Sequence, residues 1–438
     1  MTGHLLLTAW AFPPARTSGV YRAIGLANAF AQQHWDVTVL TAPQEVFAAE
    51  GIVDPSLTEQ VHDGVTIRPV PFASGVYSSD VSEWSWSRAR HPELWSVVRG
   101  LRFPDPGFGD WRPALAKAAD QVHRDKPVDL SVGTASPSVD FVPGWHLKRR
   151  HGVPYVMDYR DAWTIDVFTG RRAPRLSARA ERWEGLLLAN AEQVWFVNDP
   201  IRGWHREKYP AFADRLRVVP NGFDLTDGIA PAVPFRPIGE HEPLTFGYVG
   251  TINSGQFPGE ELLAGWVRAR ERSPELARAR ISLRGYLGRT GVADAWLQDY
   301  LRRAAAHAIE YEGPVPKSQI PAVYAAFDGL VLALASGPGV TSGKVFEFAG
   351  SGLPVVSVHD TDSAASSIMS ESPVWSPTRS LAPDDVADAF IEGARIIRAQ
   401  TPEGRAEAVR WGAKWERMRQ LEAPVRALSY LAERSTNR

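Results

Sequence analysis

The strongest constraint on the fold is an alternation of short apolar runs and amphipathic stretches along the chain. In the first half, six apolar runs are predicted to be strands, at residues 5–9, 37–40, 65–70, 129–134, 154–158 and 194–198. Between the first two runs, apolar residues recur with a period near 3.6, which predicts a helix; they are Val20, Ala23, Ile24, Ala27, Phe30 and Ala31. Strand, helix and strand at this spacing favour right-handed βαβ units and a parallel sheet.

The same pattern starts again after a proline-rich stretch. Residues 228–243 (GIAPAVPFRPIGEHEP) have no periodic apolar pattern, which is typical of a linker between domains. Five further runs are predicted to be strands, at residues 244–249, 280–283, 309–312, 329–334 and 354–358. The sequence therefore predicts an α/β protein of two Rossmann-like domains. Their parallel sheets are expected to face a central cleft, because such sheets bind ligands at the carboxyl ends of their strands.

These patterns also set the expected domain bounds. A chain of 438 residues can give each of two domains its own core. The expected parts are an N-terminal domain, a linker, a C-terminal domain and a final helical segment, at residues 1–225, 226–243, 244–405 and 406–438. Residues 76–113 form a tryptophan-rich insertion, which is either a small hydrophobic core under a long connection or an aromatic wall over a ligand pocket.

Composition argues against several functional classes. The formal net charge of -2 argues against a nucleic-acid surface, which needs an excess of Lys and Arg. The absence of cysteine excludes disulfides, thiolate metal sites and cysteine nucleophiles, and fits a cytoplasmic protein. The first residues, MTGHLLLTAW, lack a basic leader and predict a strand, not a signal peptide. No run approaches the length of a membrane span, so no transmembrane segment is expected.

Two motifs of the first domain place polar residues at the ends of strands. PPARTSGVYR (residues 13–22) brings Ser18 and Gly19 to a helix start, where free backbone N–H groups attract anions or hydroxyls. The motif is not GxGxxG, which disfavours a standard dinucleotide fold. VMDYRDAW (residues 156–163) brings Asp158, Arg160 and Asp161 to another strand end. The structural alternatives are a simple helix cap for the first motif and a self-satisfied Asp–Arg pair for the second.

The most informative motif is SGPGVTSGKVFEFAGSGLPVVSV (residues 336–358). A strand ends in a glycine-rich loop, a helix begins near Ser342, and a buried strand follows. The helix start offers free N–H groups and the positive end of the helix dipole to an anion. Lys344 and Glu347 are three residues apart and share a face. This pairing suits a nucleotide sugar, with a cation for the diphosphate and a carboxylate for the ribose hydroxyls. The alternative is a turn with a surface ion pair.

Together these motifs resemble the GT-B glycosyltransferases of family 4 over nearly the whole chain. The resemblance is carried by the N-terminal glycine-containing loop, DYRDAW, VPNGFD, FGYVGT, YEGPVPKSQIPAVYAAFDGLVLAL and SGKVFEFAGSGLPVV. It implies transfer of a sugar, with retention of configuration, from a UDP- or GDP-type donor to a small-molecule, glycan or lipid acceptor. It also implies an N-terminal acceptor-binding domain, a C-terminal donor-binding domain and a final helix that crosses back to the N-terminal domain.

The motifs and the resemblance assign roles to individual residues. The expected catalytic residues are Lys344, Asp158 and Asp161. The expected donor-binding residues are Gly250, Thr251, Arg284, Gly313, Val315, Thr341, Ser342, Gly343, Lys344 and Glu347. The expected acceptor-binding residues are Ser18, Gly19, Arg22 and Arg160.

The chain also departs from the family pattern. Of two glutamates that the family helix carries, the second matches Glu347 and the first falls on Gly339. GTINSGQFP (residues 250–258) lacks the family's Arg and Lys, so that either Arg284 or Arg289 replaces them or Lys344 acts alone. GTASPS (residues 133–138) lacks the family's His, for which DYRDAW could supply the polar groups. Two alternatives therefore remain: another nucleotide-sugar enzyme, such as an epimerase or a coupling enzyme, and a non-catalytic nucleotide-sugar-binding homologue.

No metal or other cofactor is expected, because the GT-B design uses lysine, backbone amides and a helix dipole in place of a metal. Residues 360–362 (DTD) spell a metal motif of a different glycosyltransferase class and are interpreted as a coincidence. The expected partners are a nucleotide sugar and an acceptor molecule, with no nucleic acid. The protein is expected to be a monomer or a homodimer.

Overall fold

A computed structural model of the protein describes most of the chain. The described residues are 3–72, 82, 84–92, 94–95, 98, 103–105, 107–167, 171–172, 178–225, 233–288, 293–316, 319–335, 337 and 339–436. The chain divides into two compact units. The first unit comprises Met1–Asn221 together with Gln420–Arg438, and the second comprises Gly222–Arg419.

The first unit is built on a seven-stranded sheet whose paired strands are all parallel. The strands of the unit are β1 (His4–Thr8), β2 (Asp36–Thr41), β3 (Val65–Pro69), β4 (Leu130–Ala135), β5 (Tyr155–Tyr159), β6 (Ile165–Asp166), β7 (Arg171–Arg172), β8 (Gln193–Phe196) and β9 (Leu216–Val218). The sheet has the order β3-β2-β1-β4-β5-β8-β9, while β6 and β7 form a separate antiparallel pair.

Helices connect these strands. They are α1 (Val20–Gln32), α2 (Gln44–Ala49), α3 (Trp86–Arg90), α4 (Arg112–Asp125), α5 (Val142–His151), α6 (Ala178–Asn190) and α7 (Asp199–Lys208). Central strands such as β1 and β5 are buried along their whole length, as a parallel sheet covered on both faces requires. α1 consists almost entirely of small and apolar residues, and accordingly most of its side chains are buried.

The second unit is built on a six-stranded parallel sheet of the order β12-β11-β10-β13-β14-β15. Its strands are β10 (Thr245–Val249), β11 (Arg280–Arg284), β12 (Ile309–Tyr311), β13 (Gly329–Ala333), β14 (Val355–Val358) and β15 (Trp375–Ser376). The helices are α8 (Gly259–Arg272), α9 (Ala295–Ala305), α10 (Ile320–Ala325), α11 (Gly343–Ser351), α12 (Ala364–Met369), α13 (Pro383–Ala399), α14 (Pro402–Gly412) and α15 (Arg417–Thr436).

Aromatic packing holds the helices of the second unit to its sheet. Phe246 on β10, Trp266 on α8 and Phe390 on α13 meet edge-to-face, with ring centroids 4.9 to 5.7 Å apart. Such pairs add stability beyond the burial of area alone. α8 and α13 also approach closely, since a Cβ atom at Gly265 would lie 2.2 Å from Val386.

α15 begins in the second unit, and from Gln420 onward its residues group with the first unit. Ser429 accepts a hydrogen bond from the Trp35 indole at 3.1 Å. Among the described residues, no helix has the length and apolar character needed to cross a membrane.

The α/β class and the two parallel sheets predicted from the sequence are confirmed, and each predicted strand lies within two residues of an observed one. The structure adds β9, β15 and the β6–β7 pair, which are too short to show an apolar pattern. The predicted linker lies partly outside the described residues, as do parts of the tryptophan-rich insertion. Within that insertion, Phe103 and Trp111 are buried, whereas Trp86 is 72% exposed.

Candidate functional site

In the first unit, a pocket lies where β1 and β4 end. It is lined by Ala9, Trp10, Ala11, Thr17, Gly19, Thr134, Ala135, Ser136 and Arg160. The carboxyl ends of parallel strands share one edge of a sheet, which is where α/β proteins bind ligands. Two predicted acceptor-binding residues, Gly19 and Arg160, line this pocket, and Ser18 is an exposed neighbour.

The Arg160 guanidinium lies directly on the backbone of Gly19. A Cβ atom at position 19 would stand 1.8 Å from Arg160 Nη1, so the glycine is what permits this approach. Arg160 Nη2 donates a hydrogen bond to the carboxylate of Asp161 at 3.1 Å. The Arg160 side chain is 16% exposed and that of Asp161 55% exposed. Arg160 is therefore the charged side chain in the pocket wall, with Asp161 beside it in solvent.

Asp158 and Arg22 are instead buried inside the first unit, with side chains 0% and 1% exposed. Arg22 donates two hydrogen bonds to the Asp158 carboxylate, from Nε at 2.7 Å and from Nη2 at 2.6 Å. Thr134 adds a third at 2.7 Å, and Arg22 Nη1 donates to the Pro220 carbonyl at 3.1 Å. An Asp–Arg pair was one interpretation of the DYRDAW motif, but the partner of Asp158 is Arg22, not Arg160. The pair ties α1, β4 and β5 to the turn of VPNGFD.

Two acids that the sequence motifs did not indicate, the buried Asp140 and the half-buried Asp105, lie behind the pocket wall. Asp140 is fully buried, and its Oδ2 accepts a hydrogen bond from the backbone N–H of Trp10 at 2.8 Å. Burial raises the pKa of Asp140 well above its usual value, and the nearby charge of Asp105 raises it further. Burial also raises the pKa of Asp105 to about 7. Asp105 Oδ2 accepts from the N–H of Val139 at 2.9 Å, which fixes the segment that carries Asp140.

A buried polar cluster holds the chain that follows DYRDAW. Glu184 on α6 is fully buried and accepts hydrogen bonds from Thr164, Tyr209 and Tyr159 at 2.5, 2.9 and 3.2 Å. Its Oε1 also lies 3.2 Å from His205 Nε2. Burial alone would raise the pKa of Glu184, but the interactions with His205, the hydrogen bond from Thr164 and the charge of Lys208 together outweigh it, and the pKa is lowered. The cluster thus anchors both ends of the segment from β5 to Thr164.

In the second unit, the start of α11 carries the predicted cation and carboxylate. Ser342 caps the helix, because its hydroxyl accepts a hydrogen bond from the N–H of Lys344 at 3.3 Å. Lys344 Nζ donates to Glu347 Oε2 at 2.6 Å, and the two side chains are 30% and 18% exposed. Gly343 has open space where a Cβ atom would stand. Thr341 directly precedes the cap, and position 339 is a buried glycine.

Glycine backbones converge where β10, β11 and β12 end. The N–H of Gly250 donates to the Arg284 carbonyl at 2.9 Å, and that of Gly285 donates to the Gly313 carbonyl at 3.1 Å. Gly285 has a φ of 145°, and a Cβ atom there would lie 1.8 Å from the Gly250 oxygen. Gly313, with a φ of 85°, faces open space. Only glycine fits both conformations readily.

The other predicted donor-binding residues lie near these backbones. Arg284 is held by Glu312, since its Nη1 donates to the Glu312 carbonyl at 2.6 Å and its Nε lies 3.3 Å from the carboxylate. Thr251 is exposed, and its carbonyl accepts from the Tyr248 hydroxyl at 3.1 Å. Val315 packs, partly buried, against the core. Arg289, the alternative to Arg284, lies outside the described residues.

One hydrogen bond joins the loop that leads to α11 with the loop that follows β10, from the Ala335 N–H to the Gln256 carbonyl at 3.0 Å. The predicted donor-binding residues therefore lie at one edge of the second sheet. Within the part of the chain that the structure describes, no group of three or more His, Cys, Asp or Glu side chains could hold a metal ion.

Comparison with known proteins identifies relatives of this architecture. Residues 20–222 match the family of glycosyl transferase 4-like domains. No curated protein sequence matches the chain.

Several solved structures are similar over nearly their whole length. Sucrose-phosphate synthase from Thermosynechococcus elongatus is 13% identical, with 99% of both chains covered and a TM-score of 0.60. An E. coli protein described as trehalose-6-phosphate bound with UDP-2-fluoro glucose is 12% identical, with 97% of this chain and 99% of that chain covered and a TM-score of 0.61. A putative UDP-N-acetylglucosamine 2-epimerase from Listeria monocytogenes is 8% identical, with 99% of this chain and 98% of that chain covered and a TM-score of 0.55. At these identities the similarity establishes a shared fold.

Proposed function

We propose that the chain is a glycosyltransferase that transfers a sugar with retention of anomeric configuration, because residues 20–222 match the glycosyl transferase 4-like domain and the fold is shared with solved structures such as sucrose-phosphate synthase. The donor is a nucleoside diphosphate sugar of the UDP or GDP type, bound by the second unit. The acceptor is a small molecule, a glycan or a lipid precursor, bound at the pocket of the first unit. The solved relative that holds UDP-2-fluoro glucose supports this donor class by analogy of fold.

The start of α11 is the observation that carries the proposal. The N–H of Gly343 at the helix start, the helix dipole and the Lys344 ammonium all favour an anion at this helix end. Glu347, one turn later, presents a carboxylate that accepts hydrogen bonds from ribose hydroxyls. Gly313 has open space where a Cβ atom would stand, which leaves room for the base to approach. The helix start and Lys344 therefore suit a diphosphate, and Glu347 suits the adjacent diol of a ribose.

The chemistry follows from where charge develops. The bond between the anomeric carbon and the diphosphate oxygen breaks, and the leaving diphosphate gains negative charge as the sugar becomes oxocarbenium-like. Lys344 and the α11 amides stabilise that charge, which is the main catalytic task. The acceptor oxygen bonds to the same face of the anomeric carbon, and its proton passes to the departing diphosphate. The products are the glycosylated acceptor and a nucleoside diphosphate, without a separate side-chain base.

The acceptor is bound by residues of the first unit. Arg160 supplies the charged group of the pocket wall, and Gly19 and Ser18 supply backbone at the start of α1. Asp161 is the carboxylate that is open to an acceptor hydroxyl, since its side chain is 55% exposed. Asp158 and Arg22 act as positioning residues, because their buried pair fixes α1 against β5.

The test combines calorimetry with steady-state kinetics. Lys344→Ala should lower turnover by roughly 100- to 1,000-fold, because charge on the diphosphate is greatest in the transition state. Glu347→Ala should mainly weaken the binding of UDP or GDP, by about 1.5–3 kcal/mol for a charged hydrogen bond. Arg395→Ala and Glu392→Ala are matched controls, since Arg395 and Glu392 form another pair three residues apart on a helix of the same unit.

The control variants should bind and turn over like the wild type. Unchanged binding and turnover in both α11 variants would refute the assignment of this helix as the donor site. Product analysis without an acceptor separates the remaining activities: slow donor hydrolysis accompanies a transferase, and an epimerised sugar identifies an epimerase. A chain that binds the donor but consumes none is a non-catalytic homologue, which the substitution of the first family acid by Gly339 favours.

A further inference from the structure

Glu347 has a second partner besides Lys344, and it comes from another helix. Tyr324 lies near the end of α10 and is 1% exposed. Its hydroxyl donates a hydrogen bond to Glu347 Oε2 at 3.1 Å. The ring packs edge-on against Phe348, with centroids 6.0 Å apart, so its direction is fixed by the core.

Both donors converge on the same oxygen of Glu347. Oε2 accepts from Lys344 Nζ at 2.6 Å and from the Tyr324 hydroxyl, whereas Oε1 accepts no hydrogen bond from any residue that the structure describes. One oxygen of the carboxylate is thus used to hold it, and the other is open to a ligand. The Glu347 side chain is 18% exposed, which is sufficient for that contact.

The chemistry of the phenol suits a permanent donor. Burial, and then the neighbouring charge of Glu347, raise the pKa of Tyr324 well above its usual value, so the hydroxyl keeps its proton. A buried hydroxyl without an acceptor is costly, and Glu347 is the acceptor that satisfies this one. Lys344 is different, because it is 30% exposed and is the group that the diphosphate attracts.

We propose that Tyr324 is a positioning residue for nucleoside recognition, an inference that rests on the donor site described above. Tyr324 holds Glu347 by Oε2 and directs Oε1 at the ribose hydroxyls. When Lys344 turns its charge to the diphosphate, Tyr324 still satisfies Oε2, so Glu347 does not have to reorient. The preference for a nucleotide with a ribose diol over one without it therefore depends on the Tyr324 hydroxyl, which contacts neither the ribose nor the phosphate.

The experiment measures discrimination rather than affinity alone. Calorimetry gives the ratio of dissociation constants for 2′,3′-dideoxy-UDP over UDP, and for the same pair of guanine nucleotides. The wild type should show a high ratio for the nucleotide that it binds, and Glu347→Ala should bring the ratio close to one. Tyr324→Phe, which keeps the ring packing, should lower the ratio about three- to tenfold, the size of one hydrogen bond.

Further variants separate positioning from simple loss of stability. Tyr155→Phe removes a buried hydroxyl that donates to a carbonyl in the first unit, and it should leave the ratio unchanged. In the Glu347→Ala background, adding Tyr324→Phe should not change the ratio further. In the Glu347→Gln background, adding Tyr324→Phe should still lower the ratio, because glutamine keeps an oxygen that accepts from the phenol.

The outcomes distinguish the two levels of the proposal. The role of Tyr324 is overturned if Tyr324→Phe keeps the wild-type ratio while Glu347→Ala brings the ratio close to one. That result leaves the donor site intact. Equal lowering of the ratio by Tyr155→Phe also overturns it, because the effect would then reflect general loosening. A wild type that binds neither UDP nor GDP overturns the donor site and the role of Tyr324 with it.

Discussion

Replacement of Asp158 by asparagine distinguishes a buried anchor from a catalytic carboxylate. The Arg22–Asp158 pair is fully buried. Both oxygens of the Asp158 carboxylate accept hydrogen bonds from Arg22, and Oδ2 also accepts one from Thr134. Asparagine has only one such oxygen. The guanidinium would remain buried with its charge uncompensated. Removal of one partner from such a pair costs about 3–5 kcal/mol. In a unit of this size each kcal/mol lowers the melting temperature by about 2–4 °C, so a decrease of roughly 6–20 °C is expected.

Thermal and urea unfolding followed by circular dichroism measure this loss, and turnover is assayed well below the melting transition. Asp161→Asn is the matched control, since Asp161 is 55% exposed and its carboxylate accepts a hydrogen bond from Arg160. It should change stability by less than about 0.5 kcal/mol. The anchoring role is refuted if Asp158→Asn has the melting temperature of the wild type but a strongly reduced turnover. That result would return Asp158 to direct catalysis.

Two further predictions concern metal and pH. Turnover should survive an excess of EDTA, because lysine, amides and a helix end are proposed to stabilise the diphosphate; loss of activity that magnesium or manganese restores would contradict this. The pKa of Asp105 is raised to about 7 in the folded protein, above an unfolded value of about 3.9, so the folded protein binds the extra proton and its stability should fall as pH rises from about 4 to about 7. Urea midpoints across this range should show the slope in the wild type and a weaker slope in Asp105→Asn.

The parallel sheets could be predicted because strands such as β1 and β13 are continuous apolar runs, and buried parallel strands have this composition. Strands β9 and β15 could not, since they contain three and two residues and their pairing depends on neighbours far along the chain. The tryptophan-rich insertion has no period at all. Its buried members, Phe103 and Trp111, are identified only by packing that the sequence does not encode locally.

The start of α11 could be predicted because all its signals are local. Ser342 caps the helix, Gly343 follows, and Lys344 reaches Glu347 within one turn. Tyr324 carries no such signal, because its partner Glu347 is 23 residues away on another helix. Local spacing therefore reveals the charged groups of a site more readily than the neutral donors that orient them.

The two aspartates of DYRDAW show what separates an anchor from a binding group. Asp158 lies within β5, a strand buried on both faces, and a carboxylate in that position is stable only if it is paired. Asp161 lies beyond the strand end and remains open to solvent. The partner of Asp158 had a sequence signal of its own, because Arg22 is the one charged residue in α1, a helix that is otherwise small, apolar or uncharged. A lone charge in a helix that must be buried implies an opposite charge in the core that it covers. Position relative to the strand end, together with that lone helix charge, could have paired Asp158 with Arg22, whereas the motifs were interpreted as placing Asp158 in catalysis and Arg22 at the acceptor.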